Sequence, residues 1–433
     1  MNKNSQKKIG LALSGGGYRA AAYHIGTLRA LNRLGILDKV NVISSVSGGS
    51  ITAAYYALHK DNYEEFEHSF INKLQKGVLF SSVINLIVVI AFFTLSVWLL
   101  GWWILLLDFI LLFCLWFYFL PFSFWIEKAY NKLFFKNNKL SDFPEKPLIA
   151  INSTDIETGT LFTFSQIKMA GYKYEGKEKK IVFKHEQFPI AKAVMASSCV
   201  PFAFSPVKIS AKYCNVPYKE GDKKPLLIDG GLYDNQGAHK LCEKSSNYHT
   251  QLNIVSDAGT SEMSSKWAFN TPLLLKKTAD IMMKRIQTFQ LKNNIFSHHH
   301  DNGLRFAYLA LLWDACDRPI KSFVNNILEE HIATELFEYQ NLNKNDISNL
   351  KSNNLIVKET AFQNLVEQLK QNIGWTELEK IMPSMEEHKI AKSVGTNLIA
   401  LKKSQIDALI KHSNWLTEVQ VKLYLPYLVT QNK

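Results

Sequence analysis

Cysteine is scarce: the five in 433 residues, Cys114, Cys199, Cys214, Cys242 and Cys316, stand singly with no CxxC pair. That spacing excludes a disulfide framework and a cysteine-built metal site, and reduced thiols in a cytoplasmic setting are expected. Acidic residues are also in short supply, 38 against 50 Lys and Arg, leaving a formal net charge of +12. So basic a surface attracts nucleic acid or anionic lipid headgroups, and charge alone does not choose between them. The opening Met1 to Gly10 lacks the apolar core and cleavage site of a signal peptide, so export is not expected. The glycines that follow are not succeeded by GK[ST] and do not have GxGxxG spacing, which excludes a P-loop and a dinucleotide fingerprint. Internal repeats are absent.

What is abundant is apolar sequence between Val78 and Trp125, dominated by Leu, Ile, Val, Phe and Trp and almost free of charge. It is roughly twice the ~20 residues that cross a bilayer as a helix, so two spans are predicted, Leu79 to Leu100 and Trp103 to Phe124, turning at Gly101-Trp102-Trp103. Lys73 and Lys76 precede the stretch and Lys128, Lys132, Lys136 and Lys139 follow it. By the positive-inside rule both ends, and the domain they carry, are expected on the cytoplasmic side of a membrane crossed twice. An even number of spans is required in any case if the flanking segments build one site. A buried pair of core helices is the alternative, against which the missing polar stripe counts. Asp108, near the turn, is expected to reach the headgroups, an intramembrane functional acid being the other reading. The lysines beside this stretch favour lipid over nucleic acid as partner.

Outside it, apolar strand-like runs alternate with helical patterns. Strands are predicted at Ile9 to Leu13, Val40 to Ser44, Leu148 to Ser153, Leu226 to Ile228 and Leu252 to Ser256. Helices are predicted at about Arg19 to Leu34 and Gly49 to His59, with another opened by Pro189. Such alternation means an α/β fold with a mostly parallel central sheet flanked by helices. From about Lys276 the pattern is helical and polar.

Three turns carry chemistry. Ser14-Gly15-Gly16-Gly17-Tyr18-Arg19, between a strand and a helix, lets successive N–H groups converge at a helix N-terminus and makes an anion hole. Ser45-Val46-Ser47-Gly48-Gly49 has the strand–turn–helix setting of a nucleophile elbow, with Ser45 where Gly-x-Ser-x-Gly has its first glycine. Asp229-Gly230-Gly231 follows a strand, so its carboxylate is expected in the same crevice, able to serve Ser47 as base. Each alone also fits an ordinary turn; their coincidence in one α/β pattern points to an enzyme. A Ser-His-Asp hydrolase using His239 stays open. His24 is expected to be a packing histidine, and His298 to His300 a solvated loop or a metal site.

These segments resemble the patatin-like phospholipase family, which pairs a glycine-rich oxyanion segment with an elbow serine and a DGG aspartate. Ala196-Ser197-Ser198-Cys199-Val200-Pro201 with Phe204-Ser205-Pro206, Asp155-Ile156-Glu157-Thr158-Gly159 with Phe164, and Asn235 extend the likeness over roughly 8–77 and 140–260; Gly395-Thr396-Asn397-Leu398 is a weaker echo. The resemblance implies a phospholipid acyl hydrolase with catalytic Ser47 and Asp229. Gly15, Gly16, Gly17 and Arg19 would form or hold the oxyanion hole, supported by Gly49, Gly230 and Gly231. No cofactor, metal or nucleic acid is implied. The expected division is 1–77 and 126–275 as two parts of the core, 78–125 as an inserted membrane hairpin, and 276–433 as a mainly helical region. That last region leaves room for an unidentified activator, and a catalytically inactive or signal-activated membrane effector is the alternative. Oligomeric state has no signal in the sequence.

Overall fold

A computed structural model describes residues 7–114, 120–174, 181–201, 203–219, 222–259, 271–291 and 303–430. β1 (Ile9–Leu13) is buried along its whole length, which is why it reads as a continuous apolar run rather than an alternating one. It pairs in parallel with β2 (Val40–Val46) on one side and β8 (Leu252–Asp257) on the other. Outside these lie β3 (Leu148–Asp155) and β9 (Arg305–Ala310), giving five parallel strands in the order β3-β2-β1-β8-β9. The parallel frame is therefore as expected, although β9 comes from the stretch that reads as mainly helical. Beyond β3 the sheet turns antiparallel through β4 (Thr160–Phe164) and β5 (Met169–Gly171).

The helices α1 (Gly17–Arg33) and α2 (Gly48–Leu58) each start where a parallel strand ends. α1 packs along the helix Lys403–Tyr424, and at the crossing a Cβ on Gly26 would lie 2.1 Å from Ile410 O, so glycine is required there. That C-terminal helix buries Ile406, Leu409, Trp415, Leu416 and Val419, but also Ser413, Thr417 and Gln420, and the polar residues hide its core role from the sequence.

β7 (Leu226–Asp229) runs antiparallel to β3, not parallel as its place in the sequence suggests; it also pairs with the two-residue strand β6 (Val207–Lys208). β2 pairs with β3 up to Val46↔Asn152, and β7 takes over at Ser153↔Asp229. Since β4 occupies the other edge of β3, β2 and β7 share one lane and run toward each other, meeting at Ser47 and Asp229.

Among the described residues the structure does not support a hairpin of two membrane spans. α3 (Tyr63–Leu74) and α4 (Leu79–Leu100) are followed by α5 (Ile104–Cys114). Residues 115–119 lie outside the described set, and α6 (Phe122–Tyr130) turns Ser123, Ile126 and Tyr130 into the protein core instead of continuing a span to Phe124. Among the described residues no helix is long and apolar enough to cross a membrane, which overturns the expected two-span, multi-pass localisation. Asp108 is corrected too: it is buried and accepts a 2.7 Å hydrogen bond from Ser96 Oγ, tying α5 to α4 rather than reaching outward. The arm made by these helices exposes Ile87, Val88, Trp98, Trp102 and Trp103.

Candidate active site

Ser47 sits between β2 and α2 with φ 50° and ψ −118°, a strained conformation for a residue with a side chain and the one a nucleophile elbow imposes. The turn is held tightly. The Ser47 N–H donates to Ser197 Oγ at 2.9 Å, Ser197 Oγ donates to Asn152 O at 2.6 Å, and the Gly49 N–H donates to Ser14 O at 3.1 Å. Ser45 is accommodated because its hydroxyl reaches Ala150 O at 3.4 Å and accepts from Ser50 Oγ at 3.1 Å, so the missing glycine leaves no unsatisfied group.

Asp229 ends β7 beside this turn. Its carboxylate accepts the Gly231 N–H at 2.8 Å, and the Ser47 hydroxyl lies near enough to act on its charge. Its backbone is fixed by Asp229 N–H to Cys199 O at 2.8 Å and Thr154 Oγ1 to Asp229 O at 2.9 Å; the Gly230 N–H donates to Ser197 O at 3.3 Å. Burial pushes the carboxyl up to about 6, and the Gly231 N–H and the nearby Ser47 hydroxyl pull back in the other direction. It is thus ionised at neutral pH, yet basic enough to take a proton.

The glycine loop lies against the same point: a Cβ on Gly15 would be 3.4 Å from Ser47 Cβ. Its N–H groups are not equivalent. Ser14 donates to Ser256 O at 3.1 Å, Gly15 to Asn235 O at 2.9 Å and Tyr18 to Asn397 O at 2.9 Å. Among the described residues, Gly16 and Gly17 donate to no protein acceptor, so they, rather than Gly15, hold the free donors. Arg19 is buried behind the loop, its guanidinium donating to Ala258 O at 3.0 Å and Val394 O at 3.2 Å; burial lowers its pKa to about 10. Its Nε and Nη1 groups brace backbone, and Nη2 lies against Gly16 of the loop.

His24 lies beneath the loop. Nε2–H donates to Ser14 O at 3.0 Å and Nδ1 accepts from Ser256 Oγ at 2.9 Å, and burial brings the imidazole down to about 4, a neutral packing group. His239 packs against Tyr233, and its backbone N–H donates to Asp234. No histidine hydrogen-bonds Ser47 among the described residues, and the His298 to His300 run lies outside them. The other strand-end acid, Asp257, is committed to Gln236, Gln287, Tyr308 and the Gly259 N–H. Among the described residues no cluster of three or more His, Cys, Asp or Glu could hold a metal ion. Sequence reasoning missed the bracing residues Asn152, Ser256 and Asn397; only the Gly395 to Leu398 echo pointed at the last.

The sequence model of the family described as patatin-like phospholipase matches residues 11–241, which includes all three turns. No curated protein matches the chain. Among solved structures, human GIVD cytosolic phospholipase A2 is similar at 12% identity and a TM-score of 0.50, with all of this chain covered and 63% of that one. The present chain thus spans less than two thirds of that enzyme's length, and the likeness is one of fold. VipD from Legionella pneumophila matches at 14% identity over 95% of this chain and 92% of its own, with a TM-score of 0.33.

Proposed function

The chain belongs to the patatin-like phospholipase family and by that membership is a lipid acyl hydrolase; we propose that it releases fatty acids from phospholipids at a lipid surface, with Ser47 as nucleophile and Asp229 as its base. The observation that carries this reading is the meeting of the Ser47 turn at the end of β2 with Asp229 at the end of β7, whose buried carboxyl is raised to about 6. Asp229 takes the Ser47 proton as the oxygen attacks the ester carbonyl carbon. The free Gly16 and Gly17 N–H groups receive the oxyanion, each such donor being worth about 10²–10³ in rate. Collapse expels the lysophospholipid alkoxide, which takes the proton from Asp229. Water, deprotonated by the same carboxylate, then attacks the acyl-enzyme, and the fatty acid leaves as Ser47 regains its proton. The arm supports a lipid-surface substrate, because exposed Trp98 (79%) and Trp102 (81%) are the amphipathic rings that settle at an apolar–water boundary.

The test is fatty-acid release from mixed phospholipid vesicles by wild type, Ser47→Ala and Asp229→Asn at matched folding. Release by wild type that both substitutions abolish is expected. Equal release by either variant would refute the dyad, and no release by wild type would favour an inactive scaffold.

A further inference from the structure

α2 carries the Ser47 turn at one end, and its other end, about 16 Å away at ~1.5 Å per residue, closes a separate cleft of about 240 Å³. Tyr55 and His59 line it from α2, Glu65, Ser69 and Lys73 from α3, and Lys136 from the turn after α6. We propose that this cleft binds a phosphate group, held by the ammonium groups of Lys73 and Lys136.

The cations are brought together and left without a matching acid. Lys73 Nζ donates to Leu133 O at 2.6 Å and stands 5.7 Å from the Tyr55 ring centre, which leaves two of its three N–H donors for a ligand. Burial, then the fields of Lys136 and Lys76, lower its hold on its proton, so the three ammonium groups repel one another as the protein stands. Among the described residues none of them hydrogen-bonds a carboxylate. Glu65 also lines the cleft, but it is exposed and accepts from Asn62 Nδ2 at 3.4 Å. Lys136 is delivered by a rigid turn. It and Asn137 hold φ 43° and 67°, locked by Asn137 N–H to Asn131 Oδ1 at 2.8 Å and Asn131 Nδ2 to Asn137 Oδ1 at 2.6 Å.

The remaining walls fit the same ligand. Tyr55 is clamped between His59 at 4.2 Å and Phe70 at 4.9 Å, and its hydroxyl donates to Ser69 Oγ at 2.9 Å, so the aromatic wall is fixed. His59 Nδ1–H donates to Tyr55 O at 2.8 Å, which fixes the imidazole against the Tyr55 ring. A multi-acceptor dianion suits separated ammonium donors, since lysine meets phosphate as a point charge. The phosphate has two possible sources, a soluble compound or a lipid headgroup. Lys73 and Lys76 precede the apolar arm in the chain by a few residues. This inference is independent of the reading of Ser47.

The experiment titrates the full-length protein at low salt with inorganic phosphate by calorimetry, and in parallel sediments it with phosphatidic acid or phosphatidylcholine vesicles. The variants are Lys73→Met/Lys136→Met, Lys73→Arg/Lys136→Arg, Glu65→Gln, and the exposed control pair Lys344→Met/Lys402→Met. The Met pair at the cleft is expected to weaken binding about tenfold per lysine. The Arg pair and the control pair should keep it, and Glu65→Gln should tighten it several-fold. Binding of free phosphate identifies a soluble source, and binding confined to phosphatidic acid vesicles identifies a headgroup. Either supports the site provided the variants order this way. No binding by wild type to either probe, or equal loss in the cleft and control pairs, overturns it. Because Glu65→Gln and the Arg pair are tests of their own, misfolding of the Met pair would not shelter the proposal.

Discussion

Replacing Asp229 by Asn should stabilise the protein while abolishing its chemistry, and the gain should depend on pH. The carboxyl is fully buried and titrates near 6 in the fold, against 3.8 in an unfolded chain. At ~1.36 kcal/mol per pH unit, keeping it ionised in the fold costs about 3 kcal/mol. The sign follows from proton counting. Between about pH 4 and 6 the folded state holds the proton that the unfolded chain has released, so stability falls as pH rises through this window. Above about 6 the cost is complete. Asn removes it and keeps the oxygen that accepts the Gly231 N–H. For a chain of 433 residues, with ~2.1 cal/mol/K of unfolding entropy per residue, about 3 kcal/mol corresponds to about 3 °C. Thermal unfolding of both proteins from pH 4 to 8 should therefore show the variant melting about 3 °C higher at pH 7.5, with the gap closing near pH 4. In the same buffers wild-type kcat/KM should rise about tenfold per pH unit up to about 6 and then level, as the base loses its proton. A variant no more stable than wild type at pH 7.5, or a gap unchanged across the series, would refute the argument that burial sets the Asp229 titration.

Ser197→Ala strips the acceptor from the Ser47 N–H, which should cost about 1–3 kcal/mol in denaturant unfolding and lower kcat with little change in KM. Gly17→Ala puts a Cβ 2.4 Å from Asn397 O at a φ of +61°, so one of the two free donors must move; a kcat loss of about 10²-fold or more is expected in steady-state kinetics. Replacing Trp98, Trp102 and Trp103 together by Ser should reduce hydrolysis of vesicle phospholipid and spare a short-chain soluble ester. Equal losses on both substrates would show that the arm supports the fold rather than contact with lipid.

The first half of the core was legible because its signals are local. Strands buried on both faces give unbroken apolar runs, and the glycine and serine turns mark where they end; the expected Val40 to Ser44 and Gly49 to His59 became Val40–Val46 and Gly48–Leu58. The direction of β7 was not legible, because strand polarity depends on which neighbour a strand finds, and Leu226–Asp229 finds the overhang of β3 through a long connection. Nor was the fate of Val78 to Trp125. Hydropathy adds Ser123 to the apolar arm although it buries against protein, and it does not register that Pro121 starts a new helix there. The unequal roles of Gly15, Gly16 and Gly17 were likewise invisible, being decided by Asn235 and Asn397 from distant parts of the chain.

Two strands meeting head to head in one lane raise a problem that a continuous strand does not: nothing in the ladder between them fixes the gap across which Ser47 and Asp229 face each other. The C-terminal end of α7 (Ile190–Ser197) supplies the constraint. Ser197 accepts the Ser47 N–H through Oγ and the Gly230 N–H through its carbonyl, and Cys199 O accepts the Asp229 N–H. One short segment thereby holds the end of β2 and the end of β7 at once. α6, which directly follows the apolar arm, packs on α7, with Ser123 Oγ donating to Ser205 O and Tyr130 buried close enough for the Asp229 charge to raise its hydroxyl further. A displacement of the arm transmitted through α6 would therefore act on the segment that sets the Ser47–Asp229 separation. Such a reaction, which needs a proton passed directly from hydroxyl to carboxylate, is sensitive to that separation on the scale of an ångström.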